Sequence, residues 1–223
     1  MKKVIWVIPF ILLLQACATH VPLSQSVMFN TTEPSVVDEE YDAGFAITAK
    51  KHGVEESHFI QKQNENYDTE SEFPIPINAT ILVSNRDQWG WGLSMVHGFG
   101  MDGTVKIFDE IFATASISAN RSRKLIIQQR LMNKNNIGIS FGGFWAYDTK
   151  NYYKRADCGT FPCLEFDPTP DGKVGIRSVG LSSNLFLRFK PESKFGILGG
   201  IDIGRLFEID ESYVSLNVSL IGF

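Results

Sequence analysis

The sequence predicts an all-β fold, a single antiparallel β-barrel built as a meander of 8 or 10 strands. Four runs alternate between bulky apolar and small or polar residues with a period of two, which is the periodicity of a β-strand. Turn-forming residues separate the runs, and no stretch sustains the apolar spacing of a helix. The 19 glycines and 17 phenylalanines favour the same class, since phenylalanine is enriched in strands and glycine in turns.

The first residues have the pattern of an export signal and do not belong to this fold. Two lysines open the chain, residues 4–14 are apolar apart from one proline, and Ala16 stands directly before Cys17. That order is typical of a secretory signal peptide. The apolar run is shorter than the roughly 20 residues that span a bilayer as a helix. We therefore predict a cleaved signal peptide over residues 1–16.

The residues around the predicted cleavage site also carry a more specific pattern. The sequence Leu14-Gln15-Ala16-Cys17 resembles the lipobox of bacterial lipoproteins. The resemblance implies a diacylglyceryl group on the Cys17 sulfur, cleavage before Cys17, and acylation, as with palmitate, of the new amino group. Ala18 in place of Asp implies lipid-anchored localisation in the outer membrane. The alternative is an ordinary signal peptide that happens to be followed by a cysteine.

Charge and cysteine content exclude some functions and suggest one covalent link. The net charge is -4, and it becomes about -6 once the two leader lysines are removed, so nucleic acid is not an expected partner. Cys158 and Cys163 are the other cysteines, and in an exported protein we predict a disulfide between them. A metal site is the alternative, but no histidine lies nearby. We predict no cofactor.

Behind the leader, the chain divides into a linker and a folded body. Residues 17–40 show no sustained period and are predicted to form the lipidated N-terminus and a flexible tether. Residues 41–223 are predicted to form the β-barrel domain. Nine candidate strands alternate there with turn signals, and closing a barrel leads us to expect an even number. They are residues 41–50, 78–86, 88–101, 104–118, 124–132, 136–147, 173–189, 194–207 and 213–220.

The composition of the two strand faces indicates which way the bulky residues point. In the run 88–101, Trp89, Trp91, Met95 and Phe99 lie on one face, and the opposite face is almost entirely glycine and serine. A soluble barrel exposes long polar side chains opposite its core, whereas a membrane barrel exposes bulky residues to lipid and keeps small ones inside. The body therefore resembles small outer-membrane β-barrels. A lipid-tethered soluble barrel or sandwich is the alternative.

Charged residues within the predicted strands test this interpretation. Arg177 and Arg188 lie in the run 173–189, and Lys106, Asp109 and Glu110 lie in the run 104–118. Arginine or lysine on a lipid face near the bilayer midplane costs about 2–4 kcal/mol. We therefore expect these charges inside the lumen or beyond the bilayer. We also expect the final Phe223 to share the outward face of the last strand only if a bulge lies near Ile221 and Gly222.

Candidate catalytic residues are sparse. His97 with Ser94 and Asp102 is the one arrangement that resembles a triad, and neither a nucleophile elbow nor an oxyanion-hole motif accompanies it. His52 and His58 with the acidic residues between them are a weak surface metal candidate, and we predict no metal site. We therefore expect no enzymatic activity.

Three functions remain as hypotheses. The first is a lipid-anchored outer-membrane β-barrel with a structural or interaction role in the cell envelope. Its expected partners are membrane lipid, through Cys17 and the barrel surface, and an envelope protein through the long loops 51–73 and 150–172. The second is a membrane-tethered soluble barrel that binds a small apolar ligand or lipid. The third, which depends on His97, is a lipid-modifying envelope enzyme.

Overall fold

A computed structural model describes the strands of the folded body and one short helix. The described residues are 24–29, 42–52, 67–69, 77–85, 88–95, 99–119, 121–134, 136–154, 172–190, 193, 195–208 and 210–222. The helix is a 3-10 helix, Ser24–Phe29. The strands are β1 (Asp42–His52), β2 (Tyr67–Thr69), β3 (Ile77–Asn85), β4 (Trp89–Met95), β5 (Phe99–Phe108), β6 (Ile111–Ser118), β7 (Arg123–Lys134), β8 (Ile137–Lys154), β9 (Gly172–Arg188), β10 (Phe195–Leu206) and β11 (Glu211–Gly222).

Ten of these strands form a closed antiparallel barrel. β3 to β10 each pair with the next strand along the chain, β1 pairs with β3, and β1 also pairs with β11 to close the ring. The short β2 lies outside the ring and pairs with residues 152–154 at the tip of β8. The predicted single meander barrel is therefore confirmed, with 10 strands. In the described ranges, no helix is long and apolar enough to cross a membrane.

The two ends of the barrel differ in the length of their connections. At one end, which we call the turn end, β1 begins, β11 finishes, and the connections are 86–88, 109–110, 135–136 and 189–194. At the opposite loop end, the connections are 53–76, 96–98, 119–122, 155–171 and 207–210. The two longest therefore both join strands at the loop end. Outer-membrane barrels have this asymmetry, with short turns on the periplasmic side and longer loops outside.

One region of the predicted strand pattern was wrong. Residues 88–118 contain three strands, where the sequence predicted two. The run 88–101 covers β4 and the beginning of β5. These two strands form an antiparallel hairpin, in which Met95 pairs with Phe99 next to the connection. The run 104–118 is divided by the turn Asp109-Glu110, where Glu110 has a φ of 62°. The alternation continues in phase across the 96–98 connection, so the hydrophobic pattern alone did not reveal that turn.

The barrel wall is apolar outside and polar inside. Large apolar side chains face outward from all ten barrel strands, and Ile47, Trp91, Phe141, Leu181 and Ile201 are between 42% and 53% exposed. The inward positions carry mainly hydroxyl, amide and charged groups, which are buried. They include Thr48, Thr80, Ser94, Thr104, Thr114, Gln128, Ser140, Asn184, Asp202 and Ser219. This arrangement agrees with the predicted orientation of the bulky faces.

Four of the five charged residues expected to avoid the middle of the outer surface lie in the lumen or at the ends of the barrel, and the fifth, Lys106, is half-buried on β5. Arg188 points into the lumen and donates to the Phe29 carbonyl at 2.5 Å. Arg177 is exposed at the loop end, where its Nε donates to Glu208 in the 207–210 connection at 2.8 Å. Asp109 and Glu110 form a turn at the turn end. None of these four groups therefore lies on the middle of the outer surface.

The described ends of the chain add two observations. Within the predicted tether 17–40, the residues Ser24–Phe29 form a helix buried inside the barrel, so this part is packed rather than free. The pairing of β11 with β1 and with β10 continues through Gly222 without a shift, so no bulge occurs there. Cys17, Cys158 and Cys163 lie outside the described residues, so lipidation and the disulfide remain predictions.

Candidate functional site: the lumen and its plug

The most distinctive feature of the lumen is the segment Ser24–Phe29, which we call the plug. All six of its residues are buried, and it packs against β3, β4, β5 and β6. The Ser24 N–H donates to the Asp102 carboxylate at 2.7 Å, and the Met28 and Phe29 carbonyls accept from Arg130 and Arg188. A carboxylate thus meets the first N–H of the helix and two guanidinium groups meet its last carbonyls. This placement complements the helix dipole at both ends.

The apolar part of the plug lies towards the turn end. Val27, Met28 and Phe29 are each 0% exposed, and Phe29 stacks on Phe186 with ring centroids 5.6 Å apart and planes at 14°. A Cβ on Gly138 would lie 2.2 Å from the Phe29 ring, so only glycine leaves room for that ring. Burying three such side chains contributes about 1.5–3 kcal/mol for each.

Arg130 connects the plug to the rim of the barrel. Its Nε and Nη2 atoms donate to the two carboxylate oxygens of Glu110, at 2.5 and 3.2 Å, and its Nη1 donates to the Met28 carbonyl. Its guanidinium carbon lies 5.3 Å from the centre of the Phe112 ring. The hydrogen bond from Arg130 lowers the pKa of Glu110, which lies in the turn outside the strands and is 51% exposed. The β7–β8 register shifts next to Arg130, a bulge of the kind that redirects side chains.

On the plug side, the lumen wall is lined by hydroxyl groups. Cross-strand pairs join Thr80 to Ser94 at 2.7 Å and Thr104 to Thr114 at 2.6 Å. The Ser24 hydroxyl lies 2.8 Å from that of Thr104, which extends the second pair onto the plug. Apart from Leu82 and Phe112, the buried inward side chains of β3 to β6 are thus short or medium-sized, and they leave the space that the plug occupies.

On the opposite side, side chains of the wall itself fill the lumen. Gln128 on β7 extends over Gly142 on β8 and donates to the Ser182 hydroxyl on β9 at 3.1 Å. The Asn184 side-chain amide donates to the Gln128 side-chain oxygen, Oε1, at 3.1 Å. Nearer the loop end, Lys124 and Asp202 form a buried ion pair at 2.5 Å, and Lys124 also lies over the Phe144 ring. Side chains of β7 to β10 therefore fill this side of the lumen, and the plug reaches it through Gln25 and, at the turn end, through Phe29.

The polar side chains of the plug are only partly satisfied. The Gln25 Oε1 atom accepts from Asn184 at 3.3 Å. In contrast, the Gln25 Nε2 atom and the Ser26 hydroxyl are buried and have no hydrogen-bond partner among the described residues. A buried polar group without a partner costs about 1–3 kcal/mol. The plug thus combines good apolar packing with polar groups that oppose its docking.

The structure places two members of the weak triad candidate inside the lumen and gives them other partners. Ser94 is paired with Thr80, and Asp102 accepts from the plug. His97 and His58 lie outside the described residues, as do the side chain of His52 and all three cysteines. Among the described residues, no group of three His, Cys, Asp or Glu side chains could hold a metal ion.

The sequence offered two weak signals for the plug that our interpretation did not use. Val27, Met28 and Phe29 form an apolar triplet in an otherwise mostly polar linker. Gly90 and Gly138 lie on the small faces of their strands, and each faces a plug residue. Sequence reasoning explained those glycines only in general terms, as space inside the barrel.

Comparisons with known proteins give only a remote structural likeness. No protein-family model matches the chain, and no curated protein matches it. Among solved structures, the chain is similar to the N-terminal β-barrel domain of OprF from Pseudomonas aeruginosa, with 11% sequence identity and a TM-score of 0.37. The match covers 82% of this chain and 98% of that domain.

Proposed function

We propose that this chain is an integral outer-membrane β-barrel, anchored additionally by lipid on Cys17, with a structural or interaction role in the cell envelope. The observation that carries the proposal is the distribution of side chains around the wall. All ten barrel strands expose large apolar residues, and the inward positions are mainly polar. In water, this distribution would expose a continuous apolar surface, whereas in a bilayer it places that surface against lipid.

The interior favours a scaffold over a ligand-binding barrel. A soluble barrel that holds an apolar ligand needs an open, mostly apolar cavity. The apolar cluster inside this barrel contains Phe112, Phe186, Leu198 and Ile221, but Met28 and Phe29 of the plug already occupy it. The long connections at the loop end are then the parts available to contact other envelope components. We propose no catalytic role, since Ser94 and Asp102 are engaged in structural hydrogen bonds.

Membrane fractionation of a chain that cannot be lipidated tests this proposal. Cys17→Ser should lose palmitate labelling, whereas the matched Cys158→Ser variant should keep it. The Cys17→Ser protein should still pellet with membranes after alkaline carbonate extraction, because the barrel itself is embedded. It should also migrate differently on a detergent gel before and after boiling. Release of a folded, detergent-free Cys17→Ser monomer would refute the membrane-spanning barrel and favour the tethered soluble one.

A further inference from the structure

We propose that the plug is displaceable, and that the part of the lumen it occupies is a latent passage for inorganic ions and small hydrophilic solutes. This inference rests on the membrane-spanning barrel proposed above and adds an activity to it. The plug is the segment Ser24–Phe29, which precedes β1 and contributes no strand to the wall. It can therefore leave the lumen without breaking any pairing between barrel strands.

Removal of the plug would open the β3–β6 side of the lumen and the space at the turn end where Phe29 lies on Phe186. The β7–β10 side is filled by wall side chains, which hold each other through the Gln128, Ser182 and Asn184 hydrogen bonds. The β3–β6 side is filled by the plug. Leu82 and Phe112 also face inward there, but the wall has glycine at Gly90 and Gly92 and hydroxyl groups in the pairs described above, so wall side chains do not fill the space that the plug occupies.

The vacated wall would be polar on β3 to β5, and its apolar part would be the cluster around Phe112 and Phe186. The Thr80–Ser94 and Thr104–Thr114 hydroxyl pairs would line it together with the Asp102 carboxylate, which now accepts from the Ser24 N–H. At the turn end, it would include Arg130 and Arg188, which now donate to plug carbonyls. Hydroxyl groups and charges of both signs line water-filled lumens of membrane barrels, where an apolar wall would exclude water.

The contacts of the plug suit a segment that both docks and leaves. Three apolar side chains and hydrogen bonds at both ends hold it. The unpartnered Gln25 Nε2 and Ser26 hydroxyl oppose docking, because both groups would regain hydrogen bonds in water. The Glu110 carboxylate that orients Arg130 is half exposed at the rim, so it is in contact with the solution outside the barrel. Arg130 in turn donates to the Met28 carbonyl, which links the plug to that exposed carboxylate.

Conductance of the full chain in planar lipid bilayers tests the proposal. The first variant is Val27→Asp, which places a carboxylate in the apolar contact of the plug with Gly90 and leaves the wall unchanged. In potassium chloride, the wild type should be mostly closed. Val27→Asp should raise the time-averaged conductance by at least about tenfold, because an unpaired buried carboxylate shifts the docking equilibrium outward.

A second variant links the plug covalently to the wall. It tests the same proposal if Val27→Asp does not fold. The Val27 Cβ lies 3.3 Å from the position of a Cβ on Gly90, close to the 3.5–4.5 Å of a disulfide, so Val27→Cys with Gly90→Cys should cross-link. Mass mapping of peptides verifies the bond, and each single variant is a control. Oxidation should abolish conductance, and reduction should restore it by at least about tenfold.

The possible outcomes separate the two proposals. Folded, inserted Val27→Asp that conducts like the wild type would overturn the plug proposal, as would equal conductance of the oxidised and reduced double variant. The membrane-spanning barrel would survive either result. If no variant and no wild-type protein inserted or showed heat-modifiable migration, the membrane barrel itself would be wrong, and the passage with it.

Discussion

Ile201→Arg is expected to destabilise the barrel in a bilayer, because Ile201 lies in the middle of the outer apolar surface. Its side chain is 47% exposed on β10, and its partners in the neighbouring strands are Leu216 and Ser183. It lies six positions after Phe195 at the turn end of the strand, which is about 20 Å along the strand and about 15 Å along the barrel axis at the usual tilt. The apolar band of such barrels is about 25 Å tall, so Ile201 lies close to its centre.

The expected loss follows from that depth. Arginine at the midplane costs about 2–4 kcal/mol in a membrane barrel and about 0–1 kcal/mol near the interface. Phe207 is 54% exposed and follows β10 at the loop end, so Phe207→Arg is the matched control. In a soluble barrel, by contrast, exchanging a solvent-exposed isoleucine changes the stability by no more than about 0.5 kcal/mol.

Equilibrium urea unfolding in lipid vesicles measures the difference, with tryptophan fluorescence as the signal. Trp91 and Trp145 are each 42% exposed on the outer surface, so their emission should respond to loss of lipid contact. The free energy of unfolding should fall by about 2–4 kcal/mol for Ile201→Arg and by less than about 1 kcal/mol for Phe207→Arg. Equal values for the two variants would refute the lipid-facing assignment of this surface.

Three further predictions concern the lumen and its rim. Gly138→Val should lower the free energy of unfolding by about 1–3 kcal/mol, because the valine side chain would collide with the Phe29 ring. The outward-facing Gly143→Val is the control and should lower it by less. Equal losses for the two variants would contradict this prediction. Gln128→Ala should lower the free energy of unfolding in urea by about 0.5–1.5 kcal/mol, since Asn184 loses one hydrogen bond and keeps those to Gln25 and Ser140; a neutral result would argue against the network. The lowered pKa of Glu110 means that the bond to Arg130 adds stability above pH 4.5, and that this contribution is lost as the pH falls through the pKa of the folded state. The loss should be below about 1 kcal/mol, because the pair is half exposed, and Glu110→Gln should abolish this part of the pH dependence.

The orientation of the barrel wall could be predicted because both faces of each strand carried information. Trp91 and Ile201 indicated an apolar face, but a soluble core would have predicted the same. The deciding signal was the opposite face, where Gly90, Gly92 and Ser94 are too small and too weakly polar for a surface in water. In the structure, these three positions are buried and face the lumen.

The 96–98 connection and the plug could not be predicted, for different physical reasons. A connection that preserves the two-residue phase, such as 96–98, does not change the alternation, and only pairing between Met95 and Phe99 reveals it. The plug carries no period because a six-residue helix inside a cavity is buried on every side. Its burial depends on space that strands distant in the sequence provide, as at Gly138 on β8. The sequence around the plug does not indicate that this space exists.

The position of the plug also limits how the proposed lipid anchor can act. Ser24 is held in the lumen by Asp102, and Cys17 precedes it by seven residues, a chain length that spans at most about 25 Å. This segment is shorter than the full thickness of a bilayer, which is about 40–45 Å with its headgroups. Acyl chains on Cys17 would therefore enter the membrane close to the barrel. A displacement of the lipidated Cys17 by more than this reach would therefore pull on Ser24, the first residue of the plug.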